Sequence, residues 1–210
     1  MTFQTECTRL KRIPDRGHYD KETIYPIIDE ALICHVGFIH DNLPVVIPTI
    51  HARIREMLYI RGSAASRMLK SIPEQNNICV TITMMDGIVL ARSAFHHSMN
   101  YRSAIIFGQG NIVDDPDKKW QALKSVSDHL IPGRWEDARQ PNKKELDATT
   151  VIGIPLKEAS AKFREGPPGD DEQDYELPIW AGVLPLSIQK GKLIPDPLLP
   201  KNIAVPDYLK

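Results

Sequence analysis

A chain of 210 residues with 42% apolar content can enclose a full-sized core as one domain, with or without extensions. Its formal charge of −1 gives no basic footprint for nucleic acid, and no apolar run is long enough to span a membrane. Three cysteines, Cys7, Cys34 and Cys79, share no metal-ligand spacing and fit free thiols in a reducing compartment. With no apolar signal core at the N-terminus, a cytoplasmic protein is expected.

In chain order, Asp20 is placed to cap a helix that carries Ile24, Ile27, Ile28, Ala31 and Leu32 at helical spacing, despite Pro26. Ile33–His40 and Val45–Ile50 flank Asp41-Asn42-Leu43-Pro44 and read as a β-hairpin. Met57–Arg61 is a third strand, with a helix after it from about Ser63 to Ser71. Asn77–Met84 and Ile88–Ser93 read as a second hairpin, turning at Met85-Asp86-Gly87. Tyr101–Val113 is a longer strand with a bulge expected near Gly108 and Gly110. Asp114-Asp115-Pro116-Asp117 caps a helix that runs through Leu130.

Beyond it, Lys143–Ala148 is a short helix, and Thr149–Pro155, Ser160–Arg164 and Ile179–Leu186 are strands. Glu165–Asp174, acidic and rich in Gly and Pro, is expected as a surface loop. The proline-rich tail from Gly191 should lie extended on a neighbour or be mobile. Short hairpin-linked strands with interposed helices indicate a mainly β fold, an antiparallel barrel with helical additions. No G-x-G-x-x-G motif or paired βαβ pattern supports a Rossmann sheet. The expected organisation is an extension over 1–15, one domain over 16–190 and a tail over 191–210.

Two segments concentrate chemistry. In Leu58-Tyr-Ile-Arg-Gly-Ser-Ala-Ala-Ser-Arg67 a strand runs into Gly62 and then Ser63, Ser66 and Arg67 at a helix start. Unpaired N–H groups, two hydroxyls and a guanidinium there suit a phosphate; the same residues also suit a plain capped surface helix. The second segment, Leu90–Ser103, gathers two arginines, two histidines, an asparagine, a tyrosine and three serines. A metal at His96-His97 is disfavoured because adjacent side chains diverge and no carboxylate or cysteine lies at ligand spacing. A polar loop satisfied by its own hydrogen bonds, or ligand contact across a subunit boundary, are the readings left.

Together with Leu177-Pro-Ile-Trp-Ala-Gly-Val-Leu-Pro185, these segments resemble the flavin-nucleotide-binding branch of the pyridoxamine 5′-phosphate oxidase-related family. Arg16-Gly-His-Tyr-Asp20, His35-Val-Gly-Phe38, Val46-Ile-Pro-Thr49 and Pro132-Gly-Arg-Trp135 add to the match, which covers roughly residues 12 to 188. The resemblance implies an FMN-binding split β-barrel and a homodimer with flavin at the subunit interface. It further implies that Val46, Ile47, Pro48 and Thr49 line the flavin, that Arg61, Gly62 and Ser63 lie beside its ribityl chain, and that Ser66 and Arg67 hold its phosphate. Met68 departs from the oxidase pattern, where a second basic residue stands, and Arg61 is the candidate to replace it.

By the same resemblance the second subunit contributes Ser98, Asn100, Arg102 and Ser103, and Trp180 is an aromatic near the flavin or at the interface. His97 as proton shuttle and Arg102 as stabiliser of reduced flavin are the candidate catalytic groups. The oxidases' own substrate-binding arginine and histidine have no counterpart after Trp180, which argues against true pyridoxamine 5′-phosphate oxidation. The leading expectation is an FMN-dependent oxidoreductase acting on a small nitroaromatic or quinone-like molecule. A flavin carrier or sensor without turnover is the alternative, and a haem-binding split barrel using His96 or His97 ranks below both.

Overall fold

The computed structural model describes residues 2–75 and 77–210. Ten strands form one antiparallel sheet: β1 (Gly17–His18), β2 (Ile33–His40), β3 (Leu43–Ile54), β4 (Met57–Ser63), β5 (Ile78–Leu90), β6 (Ser98–Gly108), β7 (Asn111–Ile112), β8 (Thr149–Pro155), β9 (Glu158–Arg164) and β10 (Gly182–Pro185). Their order is β1-β9-β6-β5-β2-β3-β4-β8-β7, with β10 paired to β5. The sheet curls around a core but does not close by hydrogen bonds, so it is a split barrel with helical additions.

α1 (Lys21–Glu30) begins as expected, with the Asp20 carboxylate accepting from Thr23 N–H at 2.7 Å. Ile24, Ile27 and Ile28 lie on one side of it and plug the barrel against Val36, Ile60, Ile82, Ile106 and Ile154. α3 (Pro116–Leu130), capped by Asp115, packs Ala122 and Leu123 on Val151 and Tyr59 as a second, smaller cluster. Between them come α2 (Arg67–Ser71) and, after α3, α4 (Arg134–Asp137) and α5 (Lys143–Asp147). No helix among the described residues is long and apolar enough to cross a membrane.

The first hairpin is tighter than its sequence signal. His40 pairs with Leu43, so the loop is Asp41-Asn42 alone, with φ of 50° and 59°. Two residues in the left-handed region make a type I′ turn, and Asp and Asn are the side chains that tolerate it.

Asp86-Gly87 is not a turn. β5 runs straight through it because β6 pairs along its whole length, and the Asp-Gly step forms a bulge between Met85 and Gly87. Gly87 serves β10 instead: a Cβ there would meet Val183 Cγ1 at 2.9 Å. The 101–113 strand likewise breaks at Gln109-Gly110, where a Cβ on Gly110 would overlap Ile72 and lie 2.8 Å from Ile152 Cγ2. The expected 63–71 helix shortens to α2 followed by a 3-10 turn, because β4 keeps pairing with β8 as far as Ser63.

Candidate cofactor site

β3 and β4 pair only between His51–Ile54 and Met57–Ile60, although β4 goes on with β8 to Ser63. Before His51 and after Ile60 the two strands therefore part, leaving a fork between Val46–Ile50 and Arg61–Ser63. Strand alternation sorts the expected residues on β3. Val46 and Pro48 lie opposite Gly37 and His35 on the outer face, whereas Ile47 and Thr49 lie opposite the buried Val36 and Cys34. Only backbone, not side chains, could line a flavin from all four at once.

A tight turn closes the fork's end. Ser63 C=O accepts from Ser66 N–H at 2.8 Å, the Ser63 hydroxyl accepts from Ala65 N–H at 3.2 Å, and Ala64 N–H donates to Ala148 C=O at 2.9 Å. Met68 and Leu69 are buried and seat the turn, which explains why position 68 is apolar here: its side chain belongs to the core. Leu69 Cδ1 would sit 3.1 Å from a Cβ on Gly62, so the turn packs closely on the strand end. Arg61 and Arg67 are exposed beside it, and among the described residues neither takes a carboxylate partner.

Ser66 stands at the N-cap without making a cap hydrogen bond. α2 has only five residues, so its dipole contributes little. The seat's positive charge resides in the two guanidiniums. Two arginines without carboxylate partners, the Ser66 hydroxyl, unpartnered among the described residues, and a tight turn fit a flavin phosphate.

The Ala91–Ser103 segment is organised by acids that the sequence reading missed. The Asp170 carboxylate, its side chain fully enclosed, accepts from Arg92 N–H at 2.9 Å and Ser93 N–H at 3.1 Å and pairs with the Arg92 guanidinium at 3.2 Å. Burial pushes its pKa up, but these donors outweigh that and hold it below the usual carboxylate value. The expected surface loop is thus pinned at its far end by Asp170, and Asn100 and Arg164 hold its start at Gly166 and Pro167. This pinning also brings Asp171 and Asp174 to His96, with ligand atoms of all three within 4.8 Å, so carboxylates distant in sequence do reach His96.

His97 is exposed, and its Nδ1 accepts from Ala91 N–H at 3.2 Å. That contact places the proton of the neutral ring on Nε2, which therefore presents a donor. On β6, Asn100 and Arg102 face inward, and Tyr101 and Ser103 outward. Buried Asn100 donates to Gly166 C=O at 3.1 Å and accepts from Arg164. Arg102 donates to Asp86 at 2.7 and 2.9 Å and to Glu30. Asp86, then Glu30, raise the pKa of Arg102, and Arg102 in turn holds Glu30 low.

The Arg102 charge is already balanced within its own chain. With Asn100, Phe163 and Arg164 it borders a cavity of about 510 Å³. The Ser103 hydroxyl donates to Lys162 C=O at 3.0 Å, and Ser98 is exposed. Trp180 precedes β10 rather than lying on it and is 69% exposed.

Within one chain the two segments are apart. Ser103 pairs with Thr83 on β5, β5 pairs with β2, and β2 with β3. Three strand spacings, roughly 14 Å, separate Ser103 from β3. The outer face between them exposes Ile33, Ile39, Val46 and Met85 and carries His35 between Pro48 and Thr81; His35 has no hydrogen-bond partner among the described residues.

Comparison with known proteins follows this geometry. The chain is similar to the flavocytochrome Anf3 from Azotobacter vinelandii, at 38% identity and TM-score 0.93 over 98% of this chain and 95% of that one. It is also similar to a FAD and haem binding protein from Mycobacterium smegmatis, at 32% identity and TM-score 0.88 over 92% and 95%. A FAD-binding protein from Mesorhizobium loti shares the fold at 12% identity and TM-score 0.51, over 71% of this chain and 98% of that one. No curated protein matches in sequence. The model of the pyridoxamine 5′-phosphate oxidase family matches residues 20–163, and the chain belongs to that flavin-binding split-barrel family.

Proposed function

We propose that this protein is a homodimeric, cytoplasmic oxidoreductase of the flavocytochrome kind, holding FAD and haem. The observation that carries this reading is the similarity to a flavocytochrome along almost the full length of both chains. The mycobacterial FAD- and haem-binding relative adds to it. The phosphate seat suits FMN and FAD alike, so FAD with haem is set beside the expected FMN on the strength of the Mycobacterium smegmatis relative, described as binding FAD and haem. The nitroaromatic or quinone substrate remains an expectation from the sequence alone. Flavin supplies hydride and single-electron chemistry when bound, and haem supplies one-electron chemistry.

Arg61, Gly62, Ser63, Ser66 and Arg67 hold the flavin phosphate, and the Val46–Thr49 backbone runs beside the ring. The second copy offers Ser98, Asn100, Arg102 and Ser103, with Trp180 as an aromatic cover. Arg102, fixed by Asp86 and Glu30, orients its neighbours more than it adds free charge. His97 donates through Nε2–H at the reacting edge.

Haem needs an imidazole with a free ring nitrogen beside an apolar wall. His35, unpartnered among the described residues and on the same exposed sheet face as Ile33 and Val46, is the candidate for that need. His97 fits less well, since its backbone contact leaves Nε2 protonated.

The test is the absorption spectrum of the purified, haem-supplied protein, with mass identification of the released flavin. FAD and a Soret band that His35→Ala removes are expected. FMN alone would overturn the FAD assignment, and a protein that takes up no haem would overturn the flavocytochrome reading.

A further inference from the structure

We propose that residues 187–206 form an arm that lies across a second copy of this chain and clamps the pair together. Both ends of the arm are fixed. Before it, β10 pairs with β5 from Gly182–Leu90 to Pro185–Gly87, and Leu186 N–H donates to Asp86 C=O at 3.0 Å. After it, the Tyr208 ring packs 3.6 Å from the Cβ position of Gly133. Its hydroxyl donates to Asp137 at 2.6 Å and accepts from Arg134 at 3.1 Å.

Between these anchors the arm is shaped but unburied. Small turns set its path, with Leu199 N–H on Asp196 C=O at 2.9 Å and Ile203 N–H on Pro200 C=O at 3.0 Å, and Pro195, Pro197, Pro200 and Pro206 restrict it further. Yet Ile188, Ile194 and Leu198 are 91%, 92% and 90% exposed. A segment held in a defined path with its largest apolar side chains in water lacks its partner surface.

The occupant we assign is a second copy. The same chain exposes a complementary apolar area on its outer sheet face, at Ile33, Ile39, Val46 and Met85. Two such areas on one chain can satisfy each other reciprocally about a two-fold axis. The inference rests on the dimer of the proposed function and uses the same outer face that carries His35, so the partner's arm lies over that face. Sedimentation reads the arm and the Soret band reads the haem, which keeps the two failures distinguishable.

Sedimentation equilibrium of the full chain and of an Ile194→Asp, Leu198→Asp variant tests it. Placing two carboxylates where apolar side chains meet an apolar face should weaken the dimer by at least about 100-fold. Thermal unfolding of the dissociated protomer should not change, because both side chains are solvent-exposed within it. Leu198→p-benzoyl-phenylalanine should give, on irradiation, a cross-linked species of twice the chain mass. A wild-type dimer untouched by the aspartates, or cross-links confined to one chain, would overturn the arm and leave the dimer standing. A wild-type monomer would overturn both, and binding of the arm to lipid vesicles by that monomer would assign it to a membrane instead.

Discussion

Arg67→Ala probes the phosphate seat directly. Arg67 follows the Ser63–Ser66 turn on a helix held by buried Met68 and Leu69, so removing its side chain leaves the scaffold intact. No carboxylate among the described residues competes for it, so the whole guanidinium is available to an anion. A hydrogen bond to a charged group contributes about 1.5–3 kcal/mol, which corresponds to roughly 10- to 150-fold in affinity. Solvent exposure favours the lower half of that range. Flavin titration of the apoprotein, followed by fluorescence quenching, reads the change. Arg61→Ala should show a comparable loss, and Met68→Leu should show none. An unchanged flavin Kd in Arg67→Ala would refute the assignment of phosphate to this turn.

Other expectations concern the frame. Gly110→Ala forces a methyl group onto Ile72 and Ile152 and should cost about 1–3 kcal/mol, lowering Tm by several degrees in a thermal melt. His51 is fully buried, with Nε2 donating to Ile28 C=O at 2.9 Å and Nδ1 unpartnered, against His129 at 5.1 Å and near Asp29. Burial lowers its pKa, so the unfolded chain takes up the proton first as pH falls. The stability it supports is full above about pH 6.5 and declines below, and His51→Gln should flatten that slope in denaturant unfolding. Asp170→Asn should loosen the 169–174 end of the loop, seen as faster amide exchange there, with the Gly166 end and the barrel strands unchanged. Cys34, its thiol pushed up to about 12 by burial, should resist alkylation while exposed Cys7 reacts.

Much of the frame was legible locally. Asp20 and Asp115 announce their helices because a carboxylate at an N-cap satisfies the first free N–H groups whatever lies around it. The Asp41-Asn42 hairpin is similarly self-contained. Asp86-Gly87 misled because its fate depends on a partner strand: with β6 alongside, the step becomes a bulge, and Asp86 is freed to hold Arg102. The Ser63–Ser66 turn falls where the sequence places a strand-to-helix junction, but its helix is short because β8 extends β4 to Ser63. Asp170, Arg164 and Glu30 carried no local signal, since each acts on a residue 64 to 78 positions away.

Electron transfer between the two cofactors bears most directly on the proposed function. The holoprotein is mixed anaerobically with a flavin reductant, and the flavin and haem bands are followed by stopped flow. The account predicts flavin bleaching first and haem reduction after it, with haem reduction lost in Arg67→Ala protein freed of flavin and unaffected in Gly169→Ala, a surface-loop control where an added Cβ meets nothing within 4 Å. Haem that is reduced equally fast without flavin, or a holoprotein in which only the flavin band ever changes, would contradict it.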